Sequence, residues 1–332
     1  ITNFLLWFSF GTKFVFKLFP PDQIILNSLW CFLAFAPENN FTQVWRLAQQ
    51  LQNYVFEPRP FVKWAGGKRQ LLDELEKNYP KKFDTYFEPF LGGGAVMFNL
   101  LGKHPDMKCH VSDLNSDLIL AYLAIRDKVT EVIESLEIHA KKYQKNPDSY
   151  YYHVRESEPV SQIEKVSKLI FLNKTCFNGL YRVNSKGKFN VPLGRYTNPN
   201  IVNKENLLAV SRILQSSNLE FFCRDFEQSL HDIKKGDFVY FDPPYQPVSK
   251  TASFTSYTNR SFTDDDLERL ANLAGKLDSM GCKVLLSNSK SKKVEKLFST
   301  SKWTIKEIQV NRAINSNSKK RTGHSEILVR NY

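Results

Sequence analysis

From residue 59 onward, short apolar blocks, each stopped by an acid, a proline or a glycine, alternate with longer stretches of helical period. Tyr86-Phe87, Val111-Ser112, Leu219–Cys223, Phe238–Phe241 and Lys283–Asn288 read as strands, and Trp303–Val310 and Glu326–Arg330 add two more near the end. Between them, Leu118, Ala121, Tyr122 and Ile125 form one face of a helix that Val129, Val132, Ile133 and Leu136 continue. Further helices are predicted from near Arg69, after Gly94, over Ile163–Leu172 and over Lys204–Leu214. Thr263 is placed to cap a helix running from Asp264 to about Leu277, with acids in its first turn. Strands interleaved with helices predict an α/β fold.

Residues 1–58 differ in character. Phe4–Phe8 with Phe10, and Ile24 to Phe35, are apolar runs separated by Lys13, Lys17, Pro20 and Pro21. Neither approaches the ~20 residues needed to span a bilayer, so no membrane association is expected. The segment reads as an appendage without a catalytic role, and an opening Ile in place of Met reads as a fragment or an upstream extension of the frame. The chain has 46 Lys and Arg against 34 Asp and Glu, a net charge of +12. That excess favours a polyanionic partner. The cysteines, Cys31, Cys109, Cys176, Cys223 and Cys282, are too scattered for a zinc or redox pair and fit reduced core thiols in a cytoplasmic protein; no metal is expected.

Candidate chemistry gathers where strands end. The strand Asp237–Phe241 stops at Asp242-Pro243-Pro244-Tyr245. Two prolines fix their own φ and donate no N–H, so a rigid turn at the carboxyl end of a strand is predicted. A carboxylate at Asp242 can accept one N–H of an exocyclic amine, and the Pro243 carbonyl, left free by Pro244, can accept the other. Tyr245 can stack on the base. Such a turn needs neither metal nor covalent intermediate, only positioning and electrostatics. An ordinary Asp-Pro turn would give the same letters.

The second feature is Glu88-Pro89-Phe90-Leu91-Gly92-Gly93-Gly94, a strand end leading through glycines into a helix, as nucleotide-like cofactors use. Asp113 lies further on at the end of the next strand, where an acid can bind a ribose hydroxyl. Earlier, Lys63-Trp64-Ala65-Gly66-Gly67-Lys68 places paired glycines between lysines, which is also how a plain turn before a helix would look. A polar-aromatic stretch, Asn173 to Asn184, turns at Asn184–Lys188 and returns over Phe189–Tyr196, a basic hairpin able to enter a DNA groove. Ser249–Ser261 is long enough for a lid or clamp, and Lys319, Lys320 and Arg321 in the loop Asn311–His324 can touch phosphates or stay solvated.

These motifs, in this order, resemble the Dam-type DNA adenine-N6 methyltransferases over about Arg59 to Tyr332. The resemblance implies a Rossmann-like α/β methyltransferase sheet built from 59–120 and 219–332, with a helical and β-hairpin DNA-recognition region, 121–218, inserted between its halves. It implies S-adenosylmethionine as methyl donor, held by Trp64, Lys68, Glu88, Pro89, Phe90, Gly92, Gly94, Asp113 and Asp242. Asp242, Pro243, Pro244 and Tyr245 would form the catalytic turn on a flipped adenine. Lys63, Phe177, Asn178, Leu180, Arg182 and Pro192 match positions that contact double-stranded DNA, with Arg182 on a guanine and Phe177 intercalating. The implied site is GATC and the enzyme a bacterial or phage protein of the cytoplasm; the sequence does not fix its oligomeric state, for which a monomer is the expectation. Methylation of RNA or of cytosine N4, and a silent DNA-binding protein, stay open as alternatives, as does a role beside a companion nuclease.

Overall fold

Parallel pairing of five strands sets the architecture, seen in a computed structural model that describes residues 9–10, 13–14, 57–64, 66–184, 186–245, 262–310 and 324–332. The chain divides into two units, Ile1–Phe56 and Glu57–Tyr332. In the first, Ser9–Phe10 pairs antiparallel with Lys13–Phe14. The apolar runs of residues 1–58, Cys31, the Ser249–Ser261 loop and the basic stretch with Lys319, Lys320 and Arg321 lie outside the described residues.

In the second unit the strands are β1 (Thr85–Glu88), β2 (Lys108–Ser112), β3 (Leu219–Phe222), β4 (Phe238–Phe241), β5 (Lys283–Ser289), β6 (Thr304–Val310) and β7 (His324–Arg330). Their order across the sheet is β3-β2-β1-β4-β5-β7-β6. β1 to β5 pair in parallel, while β7 is antiparallel to both β5 and β6. This is the Rossmann-like methyltransferase arrangement expected from the sequence. The order reverses between β1 and β4. Crevices outside the carboxyl ends at such a reversal bind ligands in open α/β sheets.

The helices are α1 (Leu72–Glu76), α2 (Ala95–Lys103), α3 (Ser116–Lys145), α4 (Pro147–Glu156), α5 (Gln162–Thr175), α6 (Lys204–Ser216), α7 (Asp264–Ser279) and α8 (Lys292–Leu297). One hydrophobic cluster joins Tyr86, Phe238 and Tyr240 of the sheet to α2, α3, α5 and α6. A second packs Phe87, Phe241 and Leu286 against α7 and α8. The central strands are thus apolar on both faces, and each fully buried large side chain contributes about 1.5–3 kcal/mol.

Local chemistry sets the ends. Asn115 caps α3, its side chain accepting from the N–H groups of Asp117 and Leu118. Thr263 and Asp266 form a reciprocal capping box at α7. The helix expected from Arg69 opens as a 3-10 turn over Lys68–Leu71. α3 breaks its helical geometry at Lys128 (φ −141°, ψ 40°), between the two apolar stripes read from the sequence.

Two expectations are corrected. The hairpin around Asn184–Lys188 is held by isolated bridges, Val183 to Phe189 and Cys176 to Leu193, rather than by ladders; Pro192 donates no N–H to one. Cys223, just past β3, is exposed, whereas Cys109, Cys176 and Cys282 are buried thiols.

Gly94 caps α2 with φ +69°, and a Cβ there would lie 2.6 Å from the Tyr122 hydroxyl. Gly94→Ala is therefore expected to lower unfolding free energy by at least about 1–2 kcal/mol. Chemical denaturation measures it, and an unchanged midpoint would contradict this reading of the loop.

Candidate active site

The turn after β4 places Asp242 beside the segment that precedes α1. Lys68, 3% exposed, puts its Nζ 2.7 Å from Asp242 Oδ1 and donates to the Gly66 carbonyl at 2.7 Å. Ser287 of β5 donates to the same Asp242 oxygen at 3.1 Å and shares a 2.8 Å hydrogen bond with Tyr240. Burial pushes the Asp242 carboxyl up to about 6, while Lys68 and Ser287 pull it down and Glu326 pushes it up. The ion pair with Lys68 makes Asp242 a carboxylate acceptor at the carboxyl end of β4.

Glu88 ends β1 and is buried, taking a 2.9 Å hydrogen bond from Tyr86. Burial raises its carboxyl well above the ordinary range, and the charge of Asp242 adds to this; the Tyr86 hydroxyl and the Met97 N–H offset part.

The glycine loop is tied to the end of β2. Asp113 accepts from the Gly92 N–H through Oδ2 and from the Asn115 N–H through Oδ1, both at 2.9 Å. Burial raises its carboxyl, and these two N–H groups oppose the rise. Each oxygen keeps a lone pair for a further donor. The Leu91 N–H meets the Ser112 carbonyl at 2.9 Å, and Ser112 Oγ meets the Pro89 carbonyl at 3.3 Å. Gly92 has φ +50°, and a Cβ there would stand 2.9 Å from Trp64 Cδ1. Trp64 thus closes on the loop while stacking on Tyr181, centroids 5.3 Å apart. Phe90 packs with Phe226, Phe241 and Phe262 on the side of α7. Trp64, Lys68, Glu88, Pro89, Gly92, Asp113 and Asp242 therefore surround the switch point; Gly94 faces Tyr122 and the core instead.

The second group forms a ribbon following α5. Asn173, fully buried at the end of α5, accepts from the Lys63 N–H at 2.7 Å and donates to the carbonyls of Lys63 and Gly179. This one side chain fastens the Lys63–Lys68 strap to the turn Phe177–Gly179. Gly179, with φ +65°, leaves room for the Lys63 side chain, which a Cβ would strike. Lys63 Nζ lies 4.7 Å from the centre of the Tyr196 ring. Phe177 is 42% exposed, Asn178 sits at φ 55°, Leu180 is half-buried and Pro192 is exposed. The Phe177 N–H meets the Pro192 carbonyl at 2.8 Å. Asn190 accepts from Arg182 Nε through Oδ1 at 2.7 Å and from Nη2 through its backbone carbonyl at 3.2 Å. Burial lowers Lys174, next to this cluster, to about 8, and the charge of Lys63 assists.

Sequence reasoning missed four of these residues. Asn173 opens the polar-aromatic stretch without a role of its own there, and its part becomes visible only in its burial and its hydrogen bonds. Ser287 and Glu326 carry no local motif and are brought to the site only by strand pairing, while Asn190 meets Arg182 only through the register of the ribbon.

The model of the D12 class N6 adenine-specific DNA methyltransferases matches residues 64–314. The chain belongs to that family. Among similar proteins, the type II methyltransferase M.MjaIII of Methanocaldococcus jannaschii is 44% identical over 83% of this chain and 100% of its own length. A type II methyltransferase of Lactococcus lactis subsp. cremoris is 41% identical over 85% of this chain and 98% of its own. The DNA adenine methylase of Salmonella typhi is 34% identical over 82% of this chain and 94% of its own. The D12 chain is thus an enzyme that methylates adenine in DNA, and its family implies a methyl donor. No helix among its described residues is long and apolar enough to cross a membrane.

Because Lys68 holds the Asp242 carboxyl down against burial, K68M is expected to move it above about 6. A carboxyl 13C NMR titration checks this. An unchanged midpoint would show that the ion pair does not set the charge of the site.

Proposed function

We propose that this enzyme transfers a methyl group from S-adenosylmethionine to N6 of an adenine swung out of double-stranded DNA, with GATC as its site. The observation that carries the reading is the rigid acceptor pair at the switch point. Asp242, paired with the Lys68 ammonium at 2.7 Å, lies beside the Pro243 carbonyl, which accepts no hydrogen bond from the described residues. An aromatic amine is a poor nucleophile because its lone pair is drawn into the ring. Two acceptors on its two N–H bonds turn that lone pair out of the ring plane, and Tyr245 stacks on the base face, a contact worth roughly 1–3 kcal/mol. The amine is inaccessible in a stacked duplex, so extrusion precedes transfer.

The residues fit the donor. Asp113 offers lone pairs to a ribose diol, the Gly92–Gly94 turn lets backbone approach a nucleoside, and Asp242 supplies negative charge close by. S-adenosylmethionine, when bound, supplies an electrophilic methyl on a sulfonium. The protein's share is to orient two reactants and exclude water.

We assign DNA contact to Lys63, on the strap that Asn173 fastens to the turn Phe177–Gly179, and to Phe177, Asn178, Leu180, Arg182 and Pro192 of the ribbon itself. Arg182, clamped along its Nε edge by Asn190, keeps an end free for bidentate contact with a guanine. We further propose that residues 121–218 serve recognition and residues 59–120 with 219–332 serve catalysis. The substrate favours the cytoplasm, and one ribbon with one catalytic turn on the same chain favours a monomer. Similarity to two type II methyltransferases favours work within restriction-modification.

D242A is expected to abolish transfer while duplex binding, followed by anisotropy, changes less than about threefold. Full transfer in that variant would refute the assigned role. R182A is expected to relax discrimination against near-cognate sites by roughly 1–3 kcal/mol. Competition between cognate and near-cognate duplexes checks it, and an unchanged ratio would remove Arg182 from base reading.

A further inference from the structure

Tyr245 is held from two sides. Its hydroxyl donates to Oε2 of Glu326 at 2.6 Å, and the Lys68 ammonium lies 4.8 Å from the centre of its ring. Glu326 belongs to β7 and is 5% exposed. It stands opposite Ser289 in the pairing of β7 with β5, so its carboxylate reaches the turn after β4 across an intervening strand. A phenol ring on a turn has two soft torsions, and a charge-assisted hydrogen bond at its far end removes that freedom.

The surroundings of Glu326 give this bond more than a packing role. Among the described residues Glu326 pairs with no cation, although buried carboxylates normally require one. Its charge also opposes ionisation of Asp242. A side chain kept only to fill space would be better served by an apolar residue.

We propose that Glu326 is a positioning residue for the target base: by accepting from the Tyr245 hydroxyl, it fixes the ring plane on which the adenine stacks. The inference rests on the reading that Asp242 to Tyr245 hold an extruded adenine. The ring is then rigid before DNA arrives, so stacking costs little ordering in the transition state.

The test is steady-state methylation of a duplex carrying the target site, by E326A, E326Q, Y245F and the double variant Y245F/E326A. E326A and Y245F should each lower kcat about tenfold, the usual effect of losing one charged hydrogen bond. KM for DNA and duplex affinity should change less than about twofold. The double variant should be no slower than the slower single variant, because both substitutions break the same contact.

E326Q keeps an acceptor oxygen and should restore most of the rate. It should also shift the acid limb of kcat to lower pH. The groups facing Asp242 are Lys68 before α1, Glu88 of β1, Tyr240 of β4, Tyr245 of the turn, Ser287 of β5 and Glu326 of β7, and only the last loses a charge in E326Q.

An unchanged kcat in E326A overturns the proposal, as do losses that multiply in the double variant. Should E326A fail to fold, Y245F decides: a wild-type kcat there also overturns it. If D242A retains transfer, the reading of the whole turn fails. An inactive D242A together with an unimpaired E326A sinks the positioning role alone.

Discussion

Lys68 and Asp242 meet at 2.7 Å where the segment before α1 meets the turn after β4, and both side chains are largely withdrawn from water. Removing two charges from water is costly, and the attraction between them offsets this only when hydrogen bonds satisfy what remains. Here the Gly66 carbonyl, Ser287 and Tyr240 extend the pair into a network. Breaking a buried pair by removing one partner typically costs about 3–5 kcal/mol, so the pair binds the Lys63–Lys68 strap to the sheet. It also fixes a carboxylate at the carboxyl end of β4, which the proposed reaction needs. Stability and chemistry thus depend on the same contact.

The sheet brings the parts to that contact. Parallel strands send their carboxyl ends the same way, so the loops after β1, β2 and β4 share one rim. Asp113 ties the first two loops, and Lys68 ties the strap to the third. Asn173 then joins the strap to the recognition ribbon, so elements remote in sequence are held by a buried side chain with three hydrogen bonds. Movement of the ribbon on DNA would be felt at Lys63, five residues before Lys68.

Much of this was legible in the letters. The central strands are apolar on both faces, so their runs stand out, and acids, prolines and glycines mark where they end. Asp242-Pro243-Pro244-Tyr245 and Gly92–Gly94 are local devices whose geometry follows from proline and positive φ. What stayed hidden depends on strand order. Nothing near Ser287 or Glu326 shows that β7 lies antiparallel beside β5, so neither residue could be linked to Asp242 or Tyr245 beforehand. The clamp of Asn190 on Arg182 needs the ribbon's register, which Pro192 and the isolated bridges make irregular.

A crystal structure of the enzyme with a duplex carrying its target site and a non-reactive methyl-donor analogue tests the central claim most directly. The account predicts the adenine outside the stack, with its N6 within about 3.2 Å of both an Asp242 carboxylate oxygen and the Pro243 carbonyl. An adenine still paired in the duplex, or an N6 turned away from both acceptors, would contradict it.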